Sequence, residues 1–177
     1  LPFSFFLFFG KRKLSDTVLV EKNGVLNSVL LVFAGLAVSV LMNIPANLIS
    51  QLLEGAGLNG DANTADLLAM TPVQALTMFV SVVLVAPVTE EFAFRSVTTA
   101  VMRRWGDWPA VIFSALIFGM AHYSIQSLPV VLMAGFVMAL LYVRTRNIWV
   151  NIFVHMLNNL LATLPIALEG LVGADAS

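Results

Sequence analysis

Glu90, Glu91, Arg95, His122, His155 and the pair Asn158-Asn159 stand inside otherwise apolar stretches of the chain, and His122 and His155 are its only histidines. Cysteine is absent, which excludes disulfides, thiolate metal sites and a Cys nucleophile. There is no Gly-rich phosphate loop, no His-Glu-x-x-His helix and no Gly-x-Ser-x-Gly elbow. Carboxylate, imidazole and carboxamide remain. A buried carboxylate beside an imidazole can hold and deprotonate a water molecule, which is general-base hydrolysis. A second imidazole and an amide N–H on a neighbouring helix can donate to the oxygen that becomes negative in a tetrahedral intermediate. These parts suit amide hydrolysis. The same side chains permit a second chemistry, in which Glu90, His122 and His155 ligate a catalytic Zn2+ with water in the fourth position.

Spacing sharpens the first reading, because residues four apart share a helix face. Glu91 and Arg95 stand at that separation, with the acid N-terminal as the favourable order requires. Phe118 and His122 share a second face, and His155 and Asn159 a third. Glu90 and Glu91 point about 100° apart on a helix. One can therefore pair with Arg95 while the other faces a cavity, and Glu91 is assigned the ion pair and Glu90 the chemistry. Asn158 lies off the His155 face and is read as structural; Phe92 and Phe94 are read as packing.

The elements that must carry these groups are membrane helices. Of the 177 residues 59% are apolar and 11% charged, far from the roughly 25% charge of a soluble domain. Nine Lys+Arg and ten Asp+Glu cannot cover a globule of this length. A net charge of −1 without a long basic run leaves no footprint for nucleic acid. Spans are expected at Val25 to Ser50, Leu67 to Val88 with continuation to Arg104, Trp108 to Tyr123, Leu128 to Val143, and Ile148 to Leu168. Pro87 should kink or interrupt the second. Gln51 to Asp66 reads as a loop in water and Lys11 to Gly24 as an interfacial loop. Leu1 to Phe9 reads as the cut end of a longer protein.

Threading these spans alternately places Lys11, Arg12, Lys13, Lys22, Arg103, Arg104, Arg144 and Arg146 on one side, which the positive-inside rule makes the cytoplasm. Arg95 is the exception. Counting the rise of about 1.5 Å per residue from that boundary puts Glu90, His122, His155 and Asn159 at roughly 14–20 Å depth on three helices. Independent polar residues have no reason to agree on a level; a shared site requires it. The expected fold is an all-α polytopic transmembrane bundle with an intramembrane site.

Glu-Glu-x-x-x-Arg at 90–95, Phe-x-x-x-His at 118–122 and His-x-x-x-Asn at 155–159, in that order on successive membrane helices, resemble the three motifs of the CPBP family. This group comprises type II CAAX prenyl endopeptidases and bacterial Abi or bacteriocin-immunity proteins, often labelled intramembrane metalloproteases. The resemblance implies an endopeptidase acting on a prenylated or otherwise membrane-associated peptide. Glu90 and His122 would activate water, and His155 and Asn159 would form the oxyanion site, with Glu91, Arg95 and Phe118 in support. It also implies a domain over 25–177 with its motif core at 90–159, preceded by a truncated helix end and cytoplasmic loop at 1–24. At family level a metalloprotease label coexists with glutamate-activated water. A metal-free site is adopted here, because His155 and Asn159 at helical spacing make a natural donor pair, and Zn2+ is kept as the alternative cofactor. The expected partners are membrane lipid and a hydrophobic or lipidated peptide, and the expected location is a bacterial plasma membrane with basic loops cytoplasmic. A second class stays open: a non-catalytic membrane immunity or binding protein on the same scaffold. A pure binder, however, has no need of a general base opposed by donors.

Overall fold

The computed structural model describes residues 17–58 and 71–174. Within them the chain forms five helices: α1 (Val25–Gly55), α2 (Pro72–Trp105), α3 (Asp107–Met120), α4 (Leu128–Thr145) and α5 (Ile148–Ala174). The described residues contain no strand; one antiparallel bridge joins Val20 to Asn147. The stub Leu1 to Phe9, the basic run at Lys11 to Lys13, the acidic residues Asp61 and Asp66 and the expected start of the second span at Leu67 lie outside the described residues.

Four helices, α1, α2, α4 and α5, are long and apolar enough to cross a bilayer, and the chain is an all-α polytopic membrane protein. α3 differs from its expected span. It has 14 residues, about 21 Å at helical rise, and so falls short of the roughly 20 residues a crossing takes. Phe118 lies in its last turn and is buried, and His122 follows just beyond its end. α1 runs one turn beyond the expected span, so Gln51 to Glu54, read as loop, are helical.

α1 turns most of its apolar side chains outward, with Phe33, Leu41, Ile44 and Leu52 all exposed. Its buried positions are Gly35, Ser39 and Ala46. Small residues let helix backbones approach closely where lipid offers no hydrophobic drive for association. A Cβ at Gly35 would stand 2.8 Å from Leu141 Cδ2 on α4 and 3.0 Å from Val154 Cγ2 on α5. Across the bundle a Cβ at Gly135 of α4 would stand 2.9 Å from Phe118 Cδ1 of α3.

α2 opens with a capping box: the Thr71 side chain accepts from the Gln74 backbone N–H, and the Gln74 side chain accepts from the Thr71 backbone N–H. Pro87 does not break the helix. The turn before it, Ser81–Val85, is widened to π geometry, and Pro87 enters at the start of the α-helical segment Ala86–Glu90. A widened turn is one way a helix accommodates the missing donor and the ring of a proline. A second π segment, Glu91–Thr98, follows at once and holds both Glu91 and Arg95.

Residues 17–23, expected as an interfacial loop, form a strap across the α4–α5 turn. Glu21 N–H donates to the Arg146 carbonyl (2.9 Å), and Ile148 N–H to the Leu19 carbonyl (3.0 Å). The Tyr142 hydroxyl accepts from Leu19 N–H at 3.1 Å and donates to the Thr17 carbonyl at 3.3 Å. Glu21 of the strap and Arg146 of the turn meet in an ion pair at 2.6 Å.

Candidate active site

Glu91 sits at the centre of the polar cluster and is fully buried. Its Oε2 lies 3.2 Å from Arg95 Nε, both side chains being 0% exposed. The same oxygen accepts from Asn151 Nδ2 at 3.2 Å. Its Oε1 lies 3.0 Å from His155 Nδ1. An ionised carboxylate only accepts, so Nδ1 carries the hydrogen and the His155 ring is turned with Nε2 toward Glu90, whose Oε2 is 3.7 Å away. Glu90 is the open member of the pair: its side chain is 28% exposed, against 4% for His155. The adjacent glutamates thus divide as their helical offset requires, one buried against Arg95 and one facing outward.

Arg95 is held from a second direction. Its guanidinium carbon lies 4.5 Å from the centroid of the Phe118 ring, a cation–π arrangement that lets a ring face the nitrogens in place of an acceptor. Phe118 is itself nearly buried. It packs edge-on to Phe94 (5.3 Å between centroids) and to His155 (5.7 Å), and tilted against His122 (4.7 Å). The Ser114 hydroxyl donates to the Phe94 carbonyl at 2.9 Å, which ties α3 to the widened segment of α2.

His122 lies just beyond the end of α3 and is exposed. Its Nδ1 is 2.9 Å from the Phe118 carbonyl oxygen, four residues back. It joins the cluster through the Phe118 ring, which stands against both imidazoles. Next to it Tyr123 has φ 52, a left-handed conformation unusual for an aromatic residue, and is 96% exposed. Asn159 shares the His155 face, and its Nδ2 donates to the Val82 carbonyl at 2.8 Å on the first π segment. That contact uses one of two amide hydrogens. Asn158 points elsewhere, donating to Ser39 Oγ on α1 at 3.0 Å.

Asn151 escaped the reading of the sequence. It lies one turn before His155, so Asn151, His155 and Asn159 form a single stripe on α5. That spacing was the available signal. Its proximity to Trp149, an interfacial marker, gives it the look of a headgroup-level residue.

The zinc alternative needs Glu90, His122 and His155 to converge. Among the described residues no three His, Cys, Asp or Glu side chains are grouped as a metal site requires, so the residues as placed do not fit that ligand set. An apolar cavity of about 880 Å³ lies between the strap, α1 and α5, with Val32, Phe153, Met156 and Leu160 among its walls. It lies on another face of α5 from the stripe that carries His155.

A polytopic helical bundle whose long apolar helices α2 and α5 bring Glu90, Glu91, Arg95 and His155 together defines the class: membrane proteins with a polar centre between their spanning helices. Residues 72–161, just over half of the chain, match the family model described as type II CAAX prenyl endopeptidase Rce1-like. The chain belongs to that family, in agreement with the motif resemblance. It is also similar to a Bacillus subtilis (strain 168) protein named "Putative membrane peptidase YdiL", with 31% identity over 140 residues, covering 78% of this chain and 57% of the relative. The chain thus spans a little over half the length of that relative. No solved structure matches the chain.

Proposed function

We propose that this chain carries the active centre of an intramembrane endopeptidase that hydrolyses a peptide bond in a membrane-associated or prenylated, CAAX-like peptide. One observation carries the reading. A partly exposed carboxylate, Glu90, faces an imidazole whose other nitrogen is held by a fully buried Glu91–Arg95 pair. Ionisable groups inside spanning helices are costly, pair with one another or face the protein interior, and mark functional sites by default. The family and the name of the bacterial relative point the same way.

In this mechanism Glu90, assisted by His122, takes a proton from water, and the hydroxide oxygen forms a bond to the carbonyl carbon of the scissile amide. The 3.7 Å between Glu90 and His155 is beyond hydrogen-bond length and is the kind of gap a water bridges. The carbonyl oxygen takes up the negative charge and receives hydrogen bonds from the second amide hydrogen of Asn159 and from His155, whose Nε2 takes a proton from solvent before it donates while Nδ1–H stays on Glu91. Glu90 then returns the proton to the departing nitrogen, the C–N bond breaks, and acid and amine are released. Substrate reaches Glu90 on the side where His122 and Tyr123 are exposed. No step runs through a metal. The setting is a bacterial plasma membrane with Arg103, Arg104, Arg144 and Arg146 on the cytoplasmic side.

The test is cleavage of a fluorescent farnesylated peptide by the protein in lipid vesicles, together with profiling of membrane peptides in cells. Glu90→Gln, His122→Ala and His155→Ala each lower turnover by about 10²- to 10⁴-fold while membrane insertion is kept. Full function in these variants overturns the reading in favour of a binding protein. Activity that is lost with stoichiometric zinc under a chelator overturns the metal-free mechanism.

A further inference from the structure

The Glu91 carboxylate receives a donor that no charge accounts for. Asn151 Nδ2 lies 3.2 Å from Glu91 Oε2 and 2.6 Å from the Met138 carbonyl oxygen of α4. Both neighbours are acceptors, so the amide must present its NH2 to them, one hydrogen to each. Asn151 is 0% exposed; its NH2 makes both bonds while its Oδ1 has no hydrogen-bond partner among the described residues, so the buried amide is held through its donor side alone. It is therefore set as a bracket: α5 holds the carboxylate of α2 and the backbone of α4 through one side chain.

The bracket matters because of which oxygen it takes. Arg95 and Asn151 both occupy Oε2, which leaves Oε1 to His155 Nδ1. Glu91 lies on a π segment, whose widened turn does not fix a side chain by itself. Without Asn151, the carboxylate is free to rotate and share both oxygens with Arg95, since a guanidinium can engage a carboxylate through two nitrogens. His155 would then lose its acceptor, and with it the preference for a hydrogen on Nδ1.

We infer that Asn151 is a positioning residue of the site: by pinning Glu91 Oε2 it keeps the hydrogen of His155 on Nδ1 and leaves Nε2 facing Glu90. The consequence for peptide hydrolysis rests on the function proposed above; the effect on the imidazole does not.

The chain has two histidines, so His122→Gln leaves a single imidazole. Nitrogen-15 histidine labelling of that variant in lipid vesicles, at a pH where the ring is neutral, reads its tautomer directly. The expected spectrum has a protonated Nδ1 and a bare Nε2. Adding Asn151→Leu, which has the same branched shape but no donor, is expected to give a mixture of both tautomers while circular dichroism keeps the helix content. If leucine is not tolerated, Asn151→Ser, too short to reach both acceptors, gives the same comparison. An unchanged Nδ1–H spectrum in a folded variant overturns the inference, as does a proton on Nε2 in the parent. With His122 restored, Asn151→Leu should lower kcat by about 10-fold or more with little change in KM. A shifted tautomer in a protein that cleaves no peptide leaves Asn151 in its role and removes the peptidase reading instead.

Discussion

Glu91–Arg95 and Glu21–Arg146 join the same two side-chain types through one Nε–Oε contact, and the shorter of the two is the one on the surface. The strap pair closes to 2.6 Å with its arginine 44% and its glutamate 56% exposed, while the pair inside α2 lies at 3.2 Å with both side chains sealed. Distance does not rank them. At the surface, water solvates both charges whether they meet or not, so the net gain from contact is small. Inside the bundle the unpaired state has nowhere to go. The buried pair also has dependants: Glu91 orients His155, and Arg95 lies over Phe118. The surface pair sits on a strap that backbone bonds already hold.

Breaking one partner of each pair separates these cases most strongly. Arg95→Met or Glu91→Gln leaves a buried charge without its ion-pair partner, and the expected cost is about 3–5 kcal/mol. Denaturant unfolding in detergent, followed by loss of helical signal, measures it. Cleavage should fall in step in either variant, since His155 loses its orientation. A loss below about 1 kcal/mol would mean that water reaches the pair and that the contrast with the strap is false.

Between the extremes lies Tyr142, which is nearly buried and links the two regions. Its ring packs with Ile148 and Ile152, and Val88 and Phe92 of α2 pack against that cluster; its hydroxyl reaches the strap through Leu19 N–H and the Thr17 carbonyl. Tyr142→Phe keeps the ring and removes the hydroxyl, leaving a backbone donor without its partner. The expected loss is about 1–3 kcal/mol. Hydrogen exchange of the Leu19 amide should quicken much more than that of amides within α4. Equal quickening in both would show that the strap and the bundle unfold as one unit.

The same contrast explains what could be read in the chain beforehand. Membrane spans announce themselves by composition, and the Glu91–Arg95 pair by an offset of four, because both are local. The three polar motifs could be grouped by depth alone, since helical rise converts residue number into height. Which glutamate oxygen faces which nitrogen is a different kind of fact. It depends on a π segment at 91–98, and a period of 3.6 assumed throughout cannot show where a turn widens. Asn151 carries a signal in its spacing of four from His155, but it stands outside the three motifs. The strap was the least legible part. Residues 17–23 have no apolar period, and their partners Tyr142 and Arg146 to Ile148 lie more than a hundred positions away, so no local pattern records the pairing. The shortness of α3 was hidden for a related reason: its apolar run continues past Met120 into the turn that carries His122.

The strap pair supplies the smallest expected effect and the cleanest check on the comparison. Glu21→Gln removes the charge and keeps the backbone, so Glu21 N–H still donates to Arg146, Asn147 Nδ2 still donates to the Glu21 carbonyl at 2.9 Å, and Ile148 N–H still donates to Leu19. The cost should be about 0–1 kcal/mol at low ionic strength, and it should shrink further as salt is added, because exposed charges are screened over roughly 10 Å at 0.1 M. The cost of Arg95→Met should hold nearly constant over the same salt series, its partner being out of reach of ions. A double-mutant cycle of Glu21→Gln with Arg146→Gln isolates the pair from whatever else each side chain does. If its coupling energy exceeded that of the buried pair, or resisted salt, the difference in exposure would not be what separates the two pairs.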